Sequence, residues 1–307
     1  MVYHIFANRT NIGDFLSARG IQKLLSPLPI TECLCDEPFI EETRQILSNA
    51  TTDDFVIIGG GGLIMDYFIP FWEMFSQFVD RIPFFIWGIG CCDLKNEHSL
   101  PPHALIENIF NRSELCIVRD DITKSYLANC HIPEPIACPS INIVKPLENK
   151  EPGILHVANY STAGAQVYEV MCAQAQKFAA EKNIIYRETN NRIDQYSQEE
   201  LDKILLRYKK SNLIISSALH GCIIGLAMGL KVIAVSGDRK IDAFMKSIGL
   251  EDWILDTTEV TRIPAMLQKL ELQITPWAKL DEIRVQNENV AFRIKQIISA
   301  RKFETGN

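Results

Sequence analysis

The chain contains no D-x-D, no C-x-x-C and no closely spaced set of His, Cys and Asp at metal-ligand intervals. No metal is therefore expected. It has no Gly-Lys-Ser/Thr, and the four glycines 59–62 do not complete a G-x-G-x-x-G, because Ile64 and Met65 stand where another glycine is needed. A Walker A loop and a dinucleotide fingerprint are both absent, so the glycine run is no evidence for ATP or NAD. Excess positive charge is lacking too: 31 Lys+Arg against 38 Asp+Glu give a net charge of −7, the wrong sign for general attraction to nucleic acid. The longest stretch free of charged residues, 211–230, holds Asn212, Ser216, Ser217, His220 and three glycines. It reads as a buried strand and helix, not a membrane span. Met1–Phe6 enters a strand-like run with no basic segment followed by an apolar one, so no secretory signal is expected. The nine cysteines are odd in number and scattered, several inside apolar runs such as 115–118. That suits buried reduced thiols in a cytoplasm better than a disulfide framework.

What is present is a pattern for two domains. The length of 307 residues, with 47% hydrophobic and 22% charged, fits two soluble globular units of about 150 residues each. Short apolar runs alternate with helical patterns almost end to end, the signature of parallel α/β architecture. Strands are expected at 2–6, 29–34, 54–58, 83–87 and 114–118, with helices near 13–25, 39–49, 64–80, 102–112 and 121–129. A seam at 131–152 carries five prolines and the polar run 147–151, as an interdomain linker would. The alternation restarts with strands near 153–158, 184–187, 212–217, 231–236 and 252–255. Helices follow at 162–182, 198–210, 221–229, 239–248, 260–270 and 281–302. The expected fold is two doubly wound, Rossmann-like α/β domains, 1–146 and 150–280, followed by a helix in 281–307. That helix has an apolar stripe of Val290, Ile294, Ile297 and Ile298, which packs either on its own domain or back on the first.

In an open parallel sheet, ligands bind beyond the carboxyl ends of the strands. Unusual residues gather at those ends: Asn11 and Asp14 after the first strand, Gly59–Gly62 and Asp66 after the third, and Arg119 after the fifth. In the second half, Ser217 and His220 follow one strand and Lys240 follows the next. The glycine run reads as a binding loop that brings backbone close to an anion, or else as a tight turn. A guanidinium at a buried strand end needs an anion, whether a ligand's carboxylate or phosphate or a surface pair with Asp120 or Asp121. His220, set between an apolar strand and a helix start, is placed to exchange a proton with a ligand, unless it is simply a satisfied core histidine. Asp14 and Asp66 also stand where helix N-caps fall. The spaced aromatics Phe68, Phe71, Trp72, Phe75 and Phe78 read as a buried stripe, the alternative being a face toward a lipid-linked substrate.

In this order, N-x-G-D, GGGGLI-x-D, GIG, VRD, S-x-LHG and Lys-x-x-x-Phe, from Asn11 to Phe244, the chain resembles the polysaccharide pyruvyl transferases. The resemblance implies a glycosyltransferase-B-like fold with its two domains facing across a cleft that holds the active site. It also implies transfer of the pyruvyl group of phosphoenolpyruvate to a glycan or its lipid-linked precursor, as a ketal. The first domain would be the acceptor side and the second the donor side. The family's essential histidine falls on His220, its lysine on Lys240, its arginine on Arg119 and its glycine stretch on Gly59, Gly60, Gly61 and Gly62. Asn11 and Ser217 would touch substrate, and Asp14 would lie near the acceptor hydroxyls. The resemblance further implies a cytoplasmic enzyme, with membrane contact no more than peripheral at the inner face, and no cofactor beyond the donor itself.

Two positions depart from the family pattern. Cys138-Pro139-Ser140 stands where Asp-Pro is common, and Ala218 stands where an arginine often precedes Leu-His. The second removes a cation from the neighbourhood of the phosphate. A nucleotide-sugar glycosyltransferase on the same scaffold is the alternative activity, with Asp238 or Asp242 left to grip a ribose. A non-catalytic binding protein is the third possibility, and Arg119, His220 and Lys240 speak against it.

Overall fold

The computed structural model describes residues 1–305 apart from 96 and 98. Apolar, β-branched and aromatic runs become interior strands, and the amphipathic segments between them become helices on both faces. The first half runs β1 (Val2–Phe6), α1 (Ile12–Leu25), β2 (Ile30–Leu34), α2 (Ile40–Ser48), β3 (Phe55–Ile64), α3 (Ile69–Phe75), β4 (Phe84–Cys91), α4 (His103–Phe110), β5 (Leu115–Val118) and α5 (Asp121–Tyr126). The second runs β6 (Gly153–Val157), α6 (Tyr160–Ala163), α7 (Ala165–Lys182), β7 (Ile185–Thr189), α8 (Gln198–Lys209), β8 (Leu213–Ser216), α9 (Leu219–Ala227), β9 (Lys231–Ser236), α10 (Arg239–Ser247), β10 (Ile254–Asp256) and α11 (Ile263–Lys269). A long helix, α12 (Trp277–Thr305), ends the chain. The two sheets have orders β2-β1-β3-β4-β5 and β7-β6-β8-β9-β10, and every pair within them is parallel. These are two copies of one doubly wound plan.

Two elements differ from the expectation. The glycine run is not a loop after β3 but its last part, paired with β4 as Gly59↔Trp87 and Gly61↔Ile89, with a bulge before Ile64↔Cys91. Gly60 and Gly61 have φ of 90° and 117°, a conformation only glycine adopts without strain, and it lets the strand continue through the irregularity. The helix expected over 64–80 shrinks to α3, because Pro70 is tolerated only in a first turn. Phe68, Phe71, Trp72, Phe75 and Phe78 are all buried, and the Trp72 indole N–H donates to the Leu63 carbonyl at 2.8 Å. The aromatic stripe is core and offers no face to a membrane. No helix among the described residues is long and apolar enough to cross one.

The proline-rich segment between the sheets is no free tether. Pro139, Ser140 and Ile141 are buried in a short 3-10 turn. Gly20 of α1 lies so close that a Cβ there would stand 2.3 Å from the Pro139 carbonyl oxygen. One apolar cluster joins the domains, with Phe6, Ile12, Phe15 and Leu16 on one side and Leu155, Val157, Leu219 and Ile223 on the other. The helix α12 starts against that cluster through Leu280 and Ile283. It finishes on the first sheet, packing Val290, Ala291, Ile294 and Ile298 with Ile21, Leu25, Phe55 and Trp87. The Trp87 indole donates to Asn287 at 3.0 Å.

Candidate functional site

In a sheet of order 2-1-3-4-5, the connections after strands 1 and 3 leave toward opposite faces and open a crevice at their carboxyl ends. Here two such crevices face each other. They enclose a cavity of about 510 Å³ walled by the ends of both sheets, within the usual range for small-molecule sites. Backbone bridges close it on both flanks. On one, Ile12 donates to the Asn191 carbonyl and Ile193 to that of Thr10, both at 2.9 Å. On the other, Lys95 donates to Gly237 and Arg239 to Asp93, each at 3.0 Å.

Asp14, Asn11, Arg119, His220 and Lys240, expected as site residues from strand-end placement, all line this cavity. Asn11 is the N-cap of α1 and accepts from the Gly13 N–H at 3.1 Å. Capping is thus done by Asn11, and Asp14 is left to face the cavity from the first turn. Its carboxylate lies against Gly61, where a Cβ would come within 2.5 Å of Oδ1. Of the glycines expected to bind substrate, Gly62 alone among the described residues reaches the wall. Gly60 and Gly61 are corrected: they back onto α1, Gly60 with room for no Cβ beside the Ala18 nitrogen, at 2.9 Å. Ser217 is buried and its Oγ accepts from the Asn159 N–H at 2.8 Å, holding the loop after β6 rather than facing the cavity. Asp66 is exposed and accepts from the Tyr67 N–H at 2.7 Å.

Arg119 is 6% exposed and pairs with Asp120 at 3.3 Å, so the pair is buried instead of lying on the surface. Asp120 is itself fixed by the Thr123 N–H and hydroxyl at 2.8 and 2.6 Å. The guanidinium lies flat on Gly90, where a Cβ would stand 2.3 Å from Nη2. Lys240 pairs with Asp238 at 2.6 Å and donates to the Cys92 sulfur at 3.0 Å. Also in the wall are Asn8, Asp36, Tyr67, Cys92, Tyr160 and Arg192, none of which the sequence singled out. Arg192 follows β7 as Arg119 follows β5, and the same strand-end rule applied there would have found it.

Burial and charge push two proton-carrying groups in opposite directions. Burial pushes the Asp14 carboxyl up to about 6, with Lys240, Arg119 and Arg192 countering only in part. Burial, reinforced by Arg119 and Lys240, pushes His220 down to about 3. At neutral pH His220 is a neutral base, and Asp14 is mostly ionised but takes up its proton far more readily than an ordinary carboxylate. Burial also takes His4 and His156 down to about 4. Each folded-state value lies below the unfolded value of about 6.5, so the stability tied to these groups is full above pH 6.5 and is lost as pH falls toward 4. Each histidine contributes about 1.4 kcal/mol per pH unit in that window, whereas Asp14, raised in the folded state, has the opposite slope below pH 6. Three protons outweigh one, so the urea midpoint is expected to drop clearly between pH 6.5 and 5. A midpoint unchanged across that interval would refute the assignment of three neutral buried histidines.

Gly13 supports the imidazole. A Cβ at Gly13 would lie 2.1 Å from His220 Nδ1, 2.3 Å from its ring Cγ and 2.5 Å from its Cβ. Alanine in place of a helical glycine normally gains up to about 1 kcal/mol. Here crowding against a buried ring should cost about 1–3 kcal/mol, so Gly13→Ala is expected to unfold at lower urea than the parent chain. A higher midpoint would show that the ring moves freely.

A second polar cluster lies outside the cavity wall, where His156, Cys172 and Glu188 bring metal-type donor atoms within 4.8 Å of one another. The Tyr186 hydroxyl sits among them, 3.3 Å from His156 Nδ1, 3.4 Å from the Cys172 sulfur and 3.1 Å from Glu188. Its single proton can go to only one of these acceptors, and His156 Nε2 is buried without a hydrogen-bond partner among the described residues.

Comparisons with known proteins bear on the fold and on the family. No curated protein matches the chain by sequence. Among solved structures, the chain is similar to the UDP-GlcNAc 2-epimerase of Methanocaldococcus jannaschii in complex with UDP-GlcNAc and UDP, at 8% identity and TM-score 0.58, covering 96% of this chain and 99% of that one. The UDP-GlcNAc 2-epimerase of Neisseria meningitidis bound to UDP-GlcNAc gives 11% identity and TM-score 0.58, covering 94% and 99%. The S. aureus MnaA–UDP structure gives 10% and 0.58, covering 90% of each chain. At such identities the likeness establishes the fold, which is of the glycosyltransferase-B kind. The model of the polysaccharide pyruvyl transferase family matches residues 11–239, well over half of the chain, and the chain belongs to that family.

Proposed function

We propose that the chain transfers the pyruvyl group of phosphoenolpyruvate to two hydroxyls of a glycan sugar, free or lipid-linked, forming a cyclic ketal and releasing phosphate. The observation that carries this reading is one cavity lined together by Arg119, Lys240, a neutral His220 and an Asp14 whose proton affinity burial raises. The donor has a carboxylate and a phosphate on a three-carbon frame, and two fixed cations suit it. In the first step an acceptor hydroxyl oxygen bonds to C2 while C3 takes a proton. His220 receives the hydroxyl proton and Asp14 gives its own to C3, a division of roles that opposed proton affinities favour. In the second step the C2–O bond to phosphorus breaks and phosphate leaves with the electron pair, taking the proton from His220. The second hydroxyl then closes the ring at C2 and returns a proton to Asp14. Arg119 and Lys240 stabilise the charge on the departing phosphate. No step needs a metal. Such a donor would be met in the cytoplasm, with a lipid-linked acceptor presented at the inner face of the membrane.

The acceptor is unidentified, so the test is donor binding. Phosphoenolpyruvate at 100 times its dissociation constant should stabilise the chain by about 2.7 kcal/mol, read as a rise in melting temperature. Silence with phosphoenolpyruvate and a rise with a UDP-sugar would replace this reading by that of a nucleotide-sugar glycosyltransferase.

A further inference from the structure

His220 has two ring nitrogens, and the fold engages one of them. Nε2 lies 3.5 Å from the sulfur of Cys138, which is fully buried and stands behind the cavity wall. Among the described residues Nδ1 makes no hydrogen bond, and it rests against Gly13. Two hydroxyls flank the sulfur. Ser140 Oγ donates to it at 3.2 Å, and the Cys138 thiol donates to Ser17 Oγ at 3.1 Å. A thiol has a single proton, and the shorter contact commits it to Ser17. The sulfur therefore meets the imidazole as an acceptor, and the nitrogen facing it must carry the hydrogen.

We propose that Cys138 is a positioning residue: by accepting from Nε2–H it holds His220 in one tautomer, with the lone pair on Nδ1. The proton in the pyruvyl-transfer reading then passes through Nδ1, and this inference rests on that reading only for its catalytic consequence. The partner of a catalytic imidazole fixes which nitrogen reacts, and the kind of partner decides how strongly the cation is favoured. A carboxylate at position 138 would stabilise an imidazolium, whereas a thiol does not. His220 thus stays neutral between Arg119 and Lys240, with Asp14 in the same cavity. The stretch Cys138-Pro139-Ser140, a departure at the level of sequence, becomes a device for keeping the base unprotonated.

The test is nitrogen NMR of the full, ligand-free chain with labelled histidine at neutral pH, the His220 signals being assigned by their loss in His220→Gln. The expected result is a lone-pair shift for Nδ1 and a protonated shift for Nε2. In Ser17→Ala the thiol proton is released toward the ring, and the two shifts should exchange. In Cys138→Ala the bias should vanish and both shifts should move toward a common average, with turnover falling and donor KM unchanged. A lone pair on Nε2 in the parent chain, or shifts indifferent to both substitutions, would overturn the proposal. Should the tautomer be as stated while phosphoenolpyruvate fails to bind, the assignment of the donor falls and the positioning role of Cys138 stands.

Discussion

Replacing His220 by alanine is expected to lower turnover by about 10²–10⁴-fold, the usual contribution of a positioned acid or base, while the donor still stabilises the chain. The two effects separate because the groups are separate. Arg119 is held by Asp120, and Lys240 by Asp238, so neither depends on the imidazole for its place. Loss of the ring also removes a weak thiol contact and exposes the face of Gly13, costing some stability. The comparison must therefore be made below the variant's own melting temperature. The measurement is phosphate release from phosphoenolpyruvate in the presence of a lipid-linked glycan fraction, paired with the thermal shift produced by donor alone. Turnover within tenfold of the parent would remove His220 from the chemistry. Loss of the donor shift would instead make it a binding residue.

Much of this site was legible in the sequence, for a physical reason. Parallel strands buried on both faces are near-continuous apolar runs, so 54–58 and 83–87 declared themselves, and whatever polar residue follows such a run sits on the ligand-binding rim. That rule alone reached Asn11, Asp14, Arg119, His220 and Lys240. It failed at the glycines because glycine also signals a turn. In this fold its use is flatness, Gly61 making room for the Asp14 carboxylate and Gly90 for the Arg119 guanidinium. Arg192 was within reach of the same rule and the bridges at 10–12 and 191–193 seat its loop in the wall, whereas Asp36 is brought there by its bonds to Ala7 and Asn8, a contact across 28 residues. The role of Cys138 was out of reach. Its contact with His220 spans 82 residues and depends on a 3-10 turn seated against α1, which no local spacing reveals.

Arg119→Ala is expected to abolish the donor shift and turnover together, in contrast to His220→Ala. Two effects must be told apart. Removing one partner of a buried ion pair costs about 3–5 kcal/mol, because Asp120 is left with only its contacts to Thr123, so the variant will melt early whatever the ligand does. Removing a cation from a desolvated anion site weakens binding by about 2–5 kcal/mol, or roughly 30-fold to several-thousand-fold in the dissociation constant. Arg119→Lys separates the two. It keeps a charge beside Asp120 and most of the stability, but a point charge cannot grip a carboxylate or phosphate with two parallel bonds. Donor affinity should then lie between that of the parent and that of the alanine variant. Gly90→Ala approaches from the other side, since it deletes no charge and displaces the guanidinium from its resting place. If affinity follows the position of this one group, parent, Arg119→Lys and Arg119→Ala will rank in that order, and Gly90→Ala will also bind more weakly than the parent. Equal donor shifts in parent and Arg119→Ala would leave the arginine a structural partner of Asp120 and nothing more.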